Sequence, residues 1–197
     1  MGLADADRSV LVVIDLQGKL VDLIHRPRLV LAATERLLRI ADLFGVPVVV
    51  TEQYPRGLGP THPRILEVFE SLSVPRRRFE KTAFGCCGAS GFEEVLAELR
   101  PGVPRERRQL VVAGIEAHVC VMQTVVEALA GGSEVHLCWD AVSGRGEEHR
   151  SWALARMQQA GAEVTNHESV GFEWARHKDH PRFRDLSALL KEGQPEP

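Results

Sequence analysis

The sequence predicts a three-layer α/β/α doubly wound sandwich built on a mainly parallel six-stranded sheet. Apolar, partly β-branched runs recur at 10–14 (VLVVI), 46–50 (VPVVV) and 110–113 (LVVA), the pattern of strands buried on both faces. Segments with apolar residues at i, i+3, i+4 and i+7 alternate with them, the period of amphipathic helices. No repeat, low-complexity tract or linker interrupts the alternation, so residues 1–197 are expected to form one domain.

The first strand, Ser9 to Ile14, breaks into polarity at Asp15, Gln17 and Gly18. A helix follows from about Leu29 to Phe44, with Val30, Ala33, Leu37, Ile40 and Ala41 on one face and Gly45 as its stop. The second strand, Val46 to Val50, runs into TEQYPRGLGPTHP, whose three prolines and two glycines predict an irregular surface loop. Helical spacing returns at Ile65, Val68, Phe69 and Leu72, with Pro63 in the first turn. Ser73 to Phe79 reads as a short edge strand, because Pro75 argues against a central ladder position, and it delivers Glu80 and Lys81.

Ala83 to Gly91 reads as loop, and Ser90 with Glu93 as a capping box before a helix whose face is Phe92, Val95, Leu96 and Leu99. The fourth strand, Leu110 to Ala113, closes at Gly114. Beyond it Met122, Val125, Val126 and Leu129 carry the helical period, which puts Cys120 in a first turn. A fifth strand is expected over Glu134 to Trp139, ending at Asp140, then a helix over Glu147 to Ala160 and a sixth strand over Ala162 to Asn166. Pro181 to Lys191 makes the last helix, and the tail 192–197 is expected to fray.

Composition excludes several classes. At 197 residues the chain can bury roughly 70% of its unfolded surface, so it needs no staples to hold a core. A formal net charge of -3 leaves no electrostatic footprint for nucleic acid or an anionic membrane, and Arg76-Arg77-Arg78 reads as a solvated strand edge or an intersubunit ion pair. No apolar run approaches the ~20 residues that span a bilayer, and MGLADADRS is not signal-like, so the cytoplasm is the default compartment. Four cysteines without a CxxC pair make neither a disulfide scaffold nor a zinc site; Cys86 and Cys87 read as small loop residues, and His177 and His180 as surface histidines.

In this architecture ligands collect outside the carboxyl ends of strands, where the strand order reverses. Asp15, Lys81 and Cys120 all lie just past such ends. A free cysteine usually packs as a small hydrophobe. In a helix's first turn, however, unpaired N–H groups and the dipole favour a thiolate and can hold an oxyanion beside it. Proton transfer from a thiol at ~8.5 to an aspartate at ~3.9 is about 6 kcal/mol uphill. The helix terminus is expected to offset part of this by stabilising the sulfur anion.

The motifs VLVVIDLQ, TEQYPRGLGPT, EKTAFG, GIEAHVCVMQT and DAVSGR, spread over nearly the whole chain, resemble the isochorismatase-like cysteine hydrolases, and among them the isochorismatase-domain-containing branch. The resemblance implies a triad of Cys120 as nucleophile, Asp15 as proton acceptor and donor, and Lys81 as the charge steadying both. It also implies a non-proline cis peptide at Ile115–Glu116 and an oxyanion hole from the backbone N–H groups of Glu116 and Cys120. By analogy Gln17, Tyr54 and Phe84 are pocket walls, and His118 contacts substrate or serves as a second base. Where nicotinamidases carry a metal-binding Asp-x-His, this chain has Glu52-Gln53-Tyr54, so neither a metal nor another cofactor is expected. Relatives are commonly oligomers, which implies self-association as a dimer or higher assembly.

The expected activity is therefore metal-free hydrolysis of a small amide-type C–N bond in a small-molecule substrate, through a cysteine thioester. Two alternatives stand beside it. One is a binding or scaffolding member of the same fold, which an intact triad opposes. The other is vinyl-ether hydrolysis of an isochorismate-like substrate, which would call for cationic pocket residues besides Lys81.

Overall fold

The structure is a computed structural model describing residues 2–192; most of the tail expected to fray lies outside the described residues. Six strands form one sheet in the order β3-β2-β1-β4-β5-β6, every pair parallel. They are β1 (Ser9–Ile14), β2 (Val48–Gln53), β3 (Arg76–Lys81), β4 (Gln109–Gly114), β5 (Glu134–Val142) and β6 (Glu163–Thr165). Among the described residues eight α-helices accompany it: α1 (Pro27–Leu43), α2 (Pro55–Leu58), α3 (Pro63–Ser71), α4 (Phe92–Leu99), α5 (Met122–Ala130), α6 (Glu147–Gln159), α7 (His167–Ala175) and α8 (Phe183–Lys191). Among the described residues none of them is long and apolar enough to cross a membrane.

Alternation along β1 divides the core. Leu11 and Val13 pack with α1, α3, α7 and α8, whereas Val10, Val12 and Ile14 pack with α4, α5 and α6. Because β1 and β4 are fully buried and adjacent, the sheet winds outward in both directions from them, and their carboxyl ends flank the reversal of strand order. The two ends approach so closely that a Cβ on Gly114, at φ +124°, would lie 2.1 Å from the Ile14 carbonyl oxygen.

Four local expectations need correction. β2 does not stop at Val50: Thr51, Glu52 and Gln53 continue the ladder fully buried, since each finds polar partners inside. The Ser90–Glu93 capping box is absent; Gly91 at φ +90° caps α4, and Glu93 instead takes Arg108 at 2.5 Å. β5 runs on through Asp140 to Val142, with a register shift against Val112–Gly114. A helix with no sequence signal, α7, stands between β6 and α8; Asn166 caps it by accepting from the Ser169 N–H at 2.8 Å.

Candidate active site

The first carboxylate is positioned by a kink. Asp15 follows β1 at φ 50°, a left-handed turn that aspartate tolerates better than most residues, and its side chain is buried at the sheet's end. Lys81 ends β3, two strands away, roughly 10 Å at ordinary strand spacing. Its extended side chain crosses the end of β2, and its Nζ donates to Asp15 Oδ2 at 2.7 Å. The same ammonium donates to Gln53 Oε1 at 2.9 Å and to the carbonyls of Phe84 at 2.9 Å and Ala83 at 3.3 Å. With the two side chains 0% and 2% exposed, the pair is sealed from water, and such a pair persists only when its remaining donors and acceptors are satisfied.

Cys120 enters from β4. After Gly114 the Ile115–Glu116 bond is cis, and Ala117–Val121 form a π-helical turn leading into α5. Cys120 is 7% exposed, and its thiol has the Asp15 carboxyl as a hydrogen-bond partner. Thr124 Oγ1 donates to the Cys120 carbonyl at 2.7 Å and accepts the Cys86 N–H at 2.9 Å, tying the 83–91 loop to this turn. Among the described residues nothing accepts the Glu116 N–H, while the Ala117 N–H is held by the Ser143 carbonyl at 2.7 Å.

The electrostatics overturn one expectation. Burial, and after it the neighbouring Asp15 charge, pushes the Cys120 thiol up to about 12; Lys81 opposes this but does not win. Asp15 already occupies one of the Lys81 protons, so the ammonium's field at sulfur is largely cancelled by the carboxylate beside it. The site therefore favours a thiol over a preformed thiolate.

The isochorismatase domain profile matches residues 9–169, which spans both wings of the sheet and all three clustered residues. This chain belongs to the isochorismatase family. The family chain is 40% identical over 167 residues to isochorismatase domain-containing protein 1 of Salmo salar, covering 85% of this chain and 55% of that protein, so it spans about half the length of that relative. Among solved structures it resembles the MAR1 ribonuclease from Caenorhabditis elegans, with 33% identity, a TM-score of 0.87 and coverage of 99% and 95% of the two chains. YcaC from Pseudomonas aeruginosa, solved with hexane-2,5-diol and covalent acrylamide, matches at 26% identity and a TM-score of 0.84, over 95% and 90% of the chains.

The three residues expected as pocket walls, and His118, expected to contact substrate or serve as a second base, diverge in this chain. Gln17 is not a wall: it is fully buried, its amide donating to the Gln53 and Gly59 carbonyls and accepting the Gln53 N–H at 2.6 Å. Tyr54, half exposed, does line an open cleft of about 540 Å³ that Arg56, Glu80, Lys81 and Ser90 also border. Phe84 lends its carbonyl to Lys81 and leaves its ring outside. His118 stacks on His149 of α6 at 4.4 Å, against Gly144, and burial lowers its proton affinity, which makes it a packing element of the α6 wall.

The place of the nicotinamidase metal motif does not fit a metal here. Glu52 Oε1 accepts both the N–H and the hydroxyl of Thr61, at 2.8 and 2.7 Å, and Gln53 is committed to Lys81 and the Thr82 carbonyl. His62 caps α3, and among the described residues no group of three or more potential ligands converges. Sequence reasoning missed Thr51, Gln53 and Cys86, all of which touch the cluster or its partners. The one available signal was a polar triplet, Thr51-Glu52-Gln53, directly continuing an apolar strand.

Proposed function

We propose that this chain is a cysteine hydrolase cleaving a small amide-type C–N bond through a thioester. The observation that carries the reading is the sealed cluster in which one carboxyl is shared by a thiol and an ammonium. Since Cys120 rests as a thiol, its proton passes to Asp15 as the sulfur bonds the carbonyl carbon, rather than beforehand. The backbone N–H groups of Glu116 and Cys120 receive the oxyanion, each contributing on the order of 3–4 kcal/mol to the transition state.

The C–N bond then breaks and the departing amine takes the proton from Asp15. Water attacks the thioester while Asp15 removes a proton from it; the C–S bond breaks, the sulfur recovers its proton, and a carboxylic acid leaves. Lys81 stays an ammonium throughout, holding Asp15 in place. The described neighbour with covalent acrylamide makes small amides the first substrates to try. The nearly closed cluster supports a small molecule, and the net charge of -3 opposes carrying over the ribonuclease activity that the name of the other neighbour states. Self-association is part of the same proposal.

The decisive experiment compares ammonia release from a panel of small amides by wild type and Cys120→Ala. Turnover is expected to fall by at least ~10³-fold with an unchanged circular dichroism spectrum. Retained turnover in the variant would remove the nucleophile.

A further inference from the structure

We propose that Thr51 is a positioning residue that sets the proton affinity of the Asp15–Cys120 couple, with the buried Cys86 thiol fixing the direction of its hydroxyl. The proposal rests on the functional reading above. Parallel pairing of Ile14 with Thr51 brings the β2 side chain alongside the kink at Asp15, and Thr51 Oγ1 lies 2.7 Å from Asp15 Oδ1. Lys81 takes the other oxygen, Oδ2, so each carboxylate oxygen has its own fixed donor. Cys86 Sγ lies 3.9 Å from Thr51 Oγ1, within the range of a sulfur hydrogen bond.

The order of donation follows from the groups involved. A hydroxyl has one proton to give and lone pairs to receive, whereas an ionised carboxylate only accepts. Thr51 therefore donates to Asp15 and accepts from Cys86, which is fully buried and whose thiol burial pushes up to about 11. The groups facing Asp15 are then Lys81 from β3, Cys120 from the π-turn, Cys86 from the following loop and Thr51 from β2. Of the donors to Asp15 other than Cys120, Lys81 cannot reverse, having no lone pair, but a hydroxyl can turn. When Asp15 takes the Cys120 proton, Thr51 is the partner able to exchange donation for acceptance.

Removing this hydroxyl leaves more of the carboxylate's negative charge facing the sulfur, which makes the thiol harder to ionise. Iodoacetamide labelling of Cys120, followed by mass spectrometry between pH 7 and 10, reads this without any substrate. Thr51→Val, which keeps the shape, is expected to slow labelling about tenfold, as loss of a hydrogen bond to a charged group implies, and Thr51→Ser to restore it. Cys86→Ala should shift the profile in the same direction by a smaller factor.

Wild-type labelling profiles in both Thr51→Val and Cys86→Ala would overturn the assignment, as would a Thr51→Ser variant as slow as Thr51→Val. If the shift is found while wild type hydrolyses no amide, the positioning role stands and the amidase reading falls. If amides are hydrolysed and no shift appears, the reverse holds.

Discussion

Two ends of the same sheet offer an instructive contrast. At β1, β2 and β3 the polar groups are sealed, crowded and satisfied around a buried thiol, beside the open cleft that Tyr54 and Lys81 border. Beside β5, by contrast, a cavity of about 360 Å³ opens between α1, α6 and α7, lined among others by His25, Trp139, Asp140, Glu147 and His167. Two of its histidines are held by its carboxylates: His167 Nδ1 lies 2.5 Å from Asp140 Oδ2 and His25 Nε2 lies 3.0 Å from Glu147 Oε2. Its nearest cysteine, Cys138, is sealed within the core, where burial pushes its thiol well above the ordinary range. The cavity beside β5 thus offers room for a ligand, but the cysteine of that strand is sealed away from it. What distinguishes the candidate active site is a thiol sharing one carboxyl with a fixed cation, not the size of the hole.

That contrast can be broken most severely at Lys81. Lys81→Met should abolish amide hydrolysis and leave Asp15 a buried carboxylate without a counter-ion, costing about 3–5 kcal/mol in urea denaturation. A loss under ~1 kcal/mol would mean that the pair is not sealed.

Asp15→Asn sharpens the same point because its two effects run in opposite directions. Hydrolysis should collapse, yet Cys120 should be alkylated faster than in wild type at pH 9, since the charge and hydrogen bond that raise its pKa are gone. Slower alkylation in the variant would contradict the resting thiol. Cys138 should remain unlabelled in both proteins under native conditions.

At the cavity end the expected effect is smaller and of another kind. Asp140→Asn should cost on the order of 1–2 kcal/mol of stability, having weakened the hold on His167, while leaving the pH profile of Cys120 alkylation where it was. A displaced profile would show that the two ends are coupled.

The smallest effect concerns His136 of β5, fully buried and, among the described residues, with neither ring nitrogen hydrogen-bonded. Burial lowers its pKa, so the folded protein holds it neutral while the unfolded chain binds a proton below ~6.5. The unfolded state then carries the extra proton, and stability falls as pH drops below that value. His136→Leu should flatten the thermal-melting difference between pH 7.5 and 5.5; an unchanged difference would assign it to other groups.

Legibility in the sequence varied with how much each element depends on distant residues. The runs at 10–14 and 110–113 announce themselves because burial on both faces demands unbroken apolar residues, and their ends located Asp15 and the turn bearing Cys120. Thr51, Glu52 and Gln53 looked like loop because their polarity is repaid by Asp15, Thr61, Gln17, Lys81 and Thr82, each more than eight residues from its partner in the chain. Helix α7 was unreadable for a related reason: Val170, Gly171, Trp174 and Ala175 are covered by neighbours on more than one side, which erases a single apolar face. Ser90 and Glu93 had the spacing of a capping box, but the pull of Arg108 on Glu93 and the turn at Gly91 prevailed.

The sequence by itself determined the alternation of strands and helices and the residue types waiting at strand ends, because both follow from local periodicity and from where apolar runs give out. The tertiary structure decided that an aspartate, a lysine and a cysteine separated by 66 and 39 positions share one carboxyl. It also decided the protonation of that sulfur. Proton affinity depends on the water excluded and the charges gathered by the whole fold, and no stretch of chain carries that information alone.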